Sequence, residues 1–308
     1  MELSLTEDQI RGIVAHLAHL RAAYGEAFAE PDLVEPNGDY FPDEFTLDPE
    51  GIERLLRRML GYAPLSEDLD VGLGFIQPDG EVSGGGCGSG ACGTGGLKEI
   101  ARGGAVETET GYAALVHVQD VSDPAILTTA LARAAGRIVM FEADEEVDPR
   151  DEGALSELTA VASGMGLLLL NGACVYKKGC GGMKRHQATF LGLEEISLAL
   201  ALFVRAANKK PGVVRKHLEV TQKEAFDAAL SWVDGQPSLV EALAERPETL
   251  EDGVFSFEEK KGLFSRFFAG KKKDEIGPIS VRPRERSEEE RRRLAEARAL
   301  VDEALSES

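Results

Sequence analysis

Residues 125 to 141, Ala-Ile-Leu-Thr-Thr-Ala-Leu-Ala-Arg-Ala-Ala-Gly-Arg-Ile-Val-Met-Phe, constrain the fold more than any other run in the chain. Asp123-Pro124 ahead of them is a helix-start signal, because the carboxylate can cap free amides and proline suits the first turn. A helix that is apolar almost all the way round has to be buried. This one nevertheless carries Arg133 and Arg137 one turn apart. Two guanidiniums on a buried helix are costly unless each meets an acceptor, so the rest of the chain must bring carboxylates to them.

With 308 residues, 43% of them apolar, the chain can build a sizeable core, and length alone suggests about two domains. The net charge of −20 argues against nucleic acid as a partner. Residues 260 to 308 hold 13 Lys and Arg against 10 Asp and Glu, so the body before them carries −23. The N-terminus lacks a basic start followed by an apolar core and a cleavage site, which predicts a cytoplasmic protein. The longest apolar stretches, 166 to 175 and 196 to 204, are shorter than the ~20 residues of a bilayer crossing and read as buried helix faces.

Apolar spacing predicts helices over 5–24, behind Thr6, and over a segment capped by Asp48-Pro49 that carries Ile52, Leu55, Leu56 and Met59. Further helices are predicted at 125–141, 153–170, 187–207 and 221–234, and strands at 71–75 and 112–119. Helices dominate over a small sheet, which gives an α+β body over residues 1–249. Residues 250–308 differ in composition and read as an extension: a flexible linker with a basic and aromatic patch, then a charged helix from Ser287 to Ser308.

Three stretches carry a resemblance. The first is Gly38-Asp-Tyr-Phe-Pro-Asp-Glu-Phe-Thr46, followed by the helix 52–60 and the strand 70–75. The second runs from Asp123-Pro through Leu131-Ala-Arg-Ala-Ala-Gly-Arg137 to the segment 155–166 and Asn171. The third is Phe190-Leu-Gly-Leu, then Ile196-Ser-Leu-Ala-Leu-Ala-Leu-Phe203. In this order and spacing, over roughly residues 37 to 235, the chain resembles bacterial minigluzincin-like zinc metallopeptidases. That implies a zincin-like body, and in such enzymes a His-Glu-x-x-His helix holds zinc while its Glu activates water. Here Arg133 and Arg137 stand at the two imidazole positions and Ala134 at the general base.

A third ligand, a Glu on the next helix, is replaced by Gly153, one residue from Glu152. Glu157 stands where an orienting Asp would be. The resemblance therefore implies a pseudoenzyme without catalytic cofactor, acting as a binding, scaffold or regulatory module. It also makes Glu157, then Glu152, the carboxylates for Arg133 and Arg137. The rival reading is an enzyme whose chemistry has moved to a relocated metal or to its cysteines.

Cys87 and Cys92 lie in the glycine-rich run 84–96, and Cys174 and Cys180 lie in a second one. They read as free thiols, as a four-cysteine structural zinc site, or as a disulfide. The run 84–96 lacks the Gly-Lys-Ser/Thr ending of a phosphate loop. His16 and His19 are three apart on the first helix with no carboxylate at fitting spacing, and His117 and His217 have no partner in sequence; all four read as structural or solvated. Phe264, Phe267 and Phe268, before Lys271, Lys272 and Lys273, form a docking candidate for another protein or, through 260–273, for an anionic membrane surface.

Overall fold

In a computed structural model, the structure describes residues 3–28, 31–77, 82–84, 104–145, 147–179 and 182–258. Helix α1 (Glu7–Tyr24) starts from Thr6, whose hydroxyl accepts from Gln9 N while the Gln9 side chain accepts from Thr6 N. Helix α2 (Pro49–Leu60) starts from Asp48, whose carboxylate accepts from Gly51 N at 2.7 Å. Next come strands β1 (Val71–Ile76), β2 (Val82–Gly84), β3 (Gly104–Glu107) and β4 (Tyr112–His117), which form one sheet in the order β2-β1-β4-β3. β1 and β4 run parallel, with Val71 opposite Tyr112, and the outer pairings are antiparallel.

Helix α3 (Pro124–Glu142) lies against β3 and β4 on one side and against α4 (Glu152–Ala160) and α5 (Gly166–Gly172) on the other. A hairpin of β5 (Val175–Gly179) and β6 (Gly182–His186) follows. Helices α6 (Leu193–Ala206), α7 (Pro211–Arg215), α8 (Val220–Val233) and α9 (Pro237–Glu245) complete the body. The molecule is α+β and mostly helical. One contiguous apolar core runs from Ile10 on α1 to Leu250, through the buried faces of α3, α5 and α6.

Several elements differ from the sequence expectations. The helix expected over 187–207 begins only at Leu193, because backbone groups of 188–191 are committed to buried side chains described below. The helix expected over 153–170 is broken by a π-turn, Val161–Met165. There Gly164 sits at φ 87°, and a Cβ on it would lie 1.8 Å from the Asp32 carbonyl oxygen, so only glycine fits. The Gly164 carbonyl in turn accepts from Val34 N at 3.0 Å, which stitches the loop before α2 to the break. The strand expected to reach residue 119 stops at His117 and becomes a 3₁₀ turn. Strand β3, the hairpin β5–β6, and helices α7 and α9 have no counterpart among the elements expected from the sequence.

Two helical segments, Pro124–Glu142 and Glu152–Gly172, are long and apolar enough to cross a membrane by length and composition, and both are mostly buried inside the fold. Residues 250–258, the start of the extension, lie against the body. Leu250 is buried, and the Arg11 guanidinium sits 5.0 and 4.8 Å from the Phe255 and Phe257 rings. It also donates to the carbonyls of Gly253 and Phe255 at 2.8 and 2.6 Å. Cys87, Cys92, Cys180, the phenylalanine and lysine cluster at 264–273, and the charged segment 287–308 lie outside the described residues.

Candidate functional site

The centre of the molecule is the crossing of α3 and α4. Gly136 makes it close: a Cβ there would lie 2.1 Å from the Ser156 carbonyl oxygen. With the helices in contact, Arg133 and Glu157 meet head on. Arg133 Nε donates to Glu157 Oε1 at 2.8 Å, and an Nη nitrogen lies equally close to the same oxygen. Exposure is 2% for the arginine side chain and 0% for the glutamate.

The pair also engages the turn before α6. Arg133 donates to the Ala188 carbonyl, while Glu157 accepts from Phe190 N and Leu191 N at 2.9 Å each. The Arg133 guanidinium also lies 5.0 Å from the Phe190 ring centre. One ion pair thus ties three elements together: α3, α4 and the 188–191 turn. Burial is the largest influence on the Glu157 carboxyl and pushes it above the ordinary carboxylate value, against the pull of Arg133 and the two amides. Every group aimed at its oxygens is a donor, so the site is built around the carboxylate form.

One turn on, Arg137 Nε lies 2.9 Å from Glu152 Oε1, nearer the surface, with the Arg137 guanidinium 4.0 Å from the Phe141 ring centre. Ala134 is fully buried. Gly153 faces Phe190, where a Cβ would come within 2.5 Å of the ring. The structure therefore brings Arg133, Arg137, Glu152, Glu157, Ala134 and Gly153 into one interface. Phe190 and the 188–191 backbone belong to that interface as well; Thr189-Phe190 read from sequence as interior to a helix gave no hint of it. Cys174 is buried at the start of the hairpin, with its carbonyl accepting from the Gln222 side chain at 2.9 Å.

A second polar cluster lies along α1. His19 Nδ1 is 3.0 Å from Glu251 Oε2 and its Nε2 is 3.5 Å from Glu145 Oε1, while Tyr24 donates to Glu145 at 3.0 Å. Hydrogen bonding to Glu145, with further help from Glu251, raises His19 to about 9, whereas desolvation lowers His16 to about 4. The carboxylates come from distant loops, which spacing along α1 could not reveal. His217 likewise finds Glu35 at 2.8 Å. Among the described residues, no group of three or more His, Cys, Asp or Glu side chains is placed to hold a metal ion.

An apolar pocket of about 240 Å³ opens between the 41–45 loop, α2 and the first turn of α3, floored by Phe41, Leu55 and Leu127. No protein-family model, curated protein or solved structure matches the chain.

Proposed function

We propose that this protein is a catalytically inactive, metallopeptidase-like module that works in the cytoplasm by binding another protein, as a scaffold or regulator. The observation that carries the reading is the buried Arg133–Glu157 pair, which lies where the resemblance would put a zinc ligand and its orienting carboxylate. The residues present do not fit a catalytic zinc ion. A guanidinium offers no lone pair and repels a cation, Ala134 has no group to activate water, and the Phe190 ring leaves Gly153 no room for a ligating side chain. The bridge between the two helices is then an ion pair instead of a metal, and its job is to hold shape. An exposed apolar pocket beside α2 gives such a module a surface on which to bind.

The reading is tested by metal analysis of the purified chain together with cleavage of an unfolded protein substrate. The expected result is no cleavage that a chelator abolishes. Chelator-sensitive cleavage would overturn it.

A further inference from the structure

The hairpin β5–β6 is a basic feature of an acidic molecule. It carries Lys177, Lys178, Lys184 and Arg185 within two short paired strands. Lys177 pairs with Asp123 at 3.4 Å; among the described residues, Lys178, Lys184 and Arg185 have no carboxylate within ion-pairing distance. That is unexpected in a body of charge −23, where acids are plentiful. The register makes the arrangement more costly still. Lys177 stands directly opposite Lys184, and like charges in a cross-strand pair repel. On the other face, Tyr176 pairs with Arg185 and Lys178 with Met183, so two cations flank Tyr176 and Met183, which are 51% and 64% exposed. Exposed aromatic, methionine and arginine side chains are enriched at interfaces.

We propose that the β5–β6 hairpin is a docking arm for a short acidic polypeptide segment of another protein. This deepens the reading of the chain as a binding module and names its partner's chemistry. Charge selects that occupant. The charge is complementary and local: at physiological salt a field decays over about 8 Å, so a short segment at the hairpin feels the cations and little of the body. An extended polyanion such as a nucleic acid or an anionic bilayer would meet the −23 body as well. The Tyr176 hydroxyl lies 3.2 Å from Thr221 Oγ1 on α8, which ties the hairpin to the body.

Lysines on a two-stranded ribbon also serve to blunt its edges against aggregation. Charge reversal separates that role from docking, since a glutamate blunts an edge as well as a lysine does. The experiment titrates the full chain into a fluorescein-labelled peptide of alternating Glu and Thr, with oligothymidylate and phosphatidylserine-containing vesicles as parallel arms. The peptide should bind, more weakly as salt rises, and the Lys178→Glu, Lys184→Glu, Arg185→Glu triple variant should bind at least ~10-fold more weakly. If that variant lowers the thermal midpoint, the corresponding Gln triple variant replaces it, with a loss of at least ~3-fold expected. Absence of peptide binding, equal binding by the variants, or tighter binding of oligothymidylate or vesicles than of the peptide would overturn the proposal. Neither zinc nor peptidase activity is read here, so failure leaves the inactive-site reading standing. Chelator-sensitive cleavage would sink that reading without touching this one.

Discussion

Arg133 and Glu157 face each other across the α3–α4 contact at 2.8 Å, and the Ala188 carbonyl and the Phe190 and Leu191 amides hold the pair from the next turn. Such a pair adds little net stability over a well-packed apolar substitute, but removing one partner strands the other. Arg133→Ala should therefore cost about 3 kcal/mol in urea unfolding. Arg137→Ala, whose partner Glu152 is 37% exposed, should cost under ~1 kcal/mol. Equal losses in the two variants would contradict this ordering.

Gly153→Ala places a methyl group against the Phe190 ring and should destabilise by about 1–3 kcal/mol through overpacking. Phe190→Ala in the same chain should recover most of that loss. A double-mutant cycle without coupling would show that the ring swings away freely. For the same reason, installing His, Glu and His at 133, 134 and 137 should not create zinc-dependent cleavage in this background.

Stability should depend on pH with two opposing arms. His16, held near 4 by burial, stays neutral in the fold where the unfolded chain takes up a proton. Its contribution is whole above about 6.5 and is lost as the pH falls from there through about 4. His19, raised to about 9 first by Glu145, contributes fully below about 6.5, and that contribution is lost as the pH rises through about 9. Urea midpoints across this range should show His19→Gln flattening the alkaline arm alone and His16→Gln the acid arm alone. An alkaline arm unchanged in His19→Gln would refute the assignment.

A chain truncated after Glu258 sets the reference unfolding midpoint. Truncation after Thr249 should lower it, because Leu250 is buried and the Phe255 and Phe257 rings both lie against Arg11. The expected loss is about 2–4 kcal/mol, from the burial of three large apolar side chains, two of them only partly buried. The comparison is read by denaturation of the two truncated chains.

The α+β class, α1, α2 and α3 were legible in the sequence because each begins at a capping side chain and keeps one helical period throughout. The α3–α4 crossing was half legible: a carboxylate had to reach Arg133, yet nothing local showed that the 188–191 backbone would complete the cage. That turn reads as helix because Phe190 and Leu191 are apolar, and the amides that would extend α6 toward its start are instead spent on Glu157. The π-turn was hidden for a similar reason. Gly164 looks like a tolerated glycine in a helix until the Asp32 carbonyl arrives from far away in sequence. His19 gained its carboxylates from residues 145 and 251, a relationship that no window along α1 contains.

The packing of α1 sets an order on how the chain can be made. Its buried face meets α4, α6 and α9, and the loop after it is stitched to Gly164, so nothing within its first hundred neighbours in sequence completes its burial. During synthesis at ~5–20 residues per second, α1 therefore waits roughly 10–40 s for α6 to emerge. Throughout that interval Ile10, Ile13, Val14, Leu17 and Leu20 form an uncovered apolar stripe on the nascent chain. Newborn molecules, more than finished ones, are the ones exposed to chaperones and to aggregation.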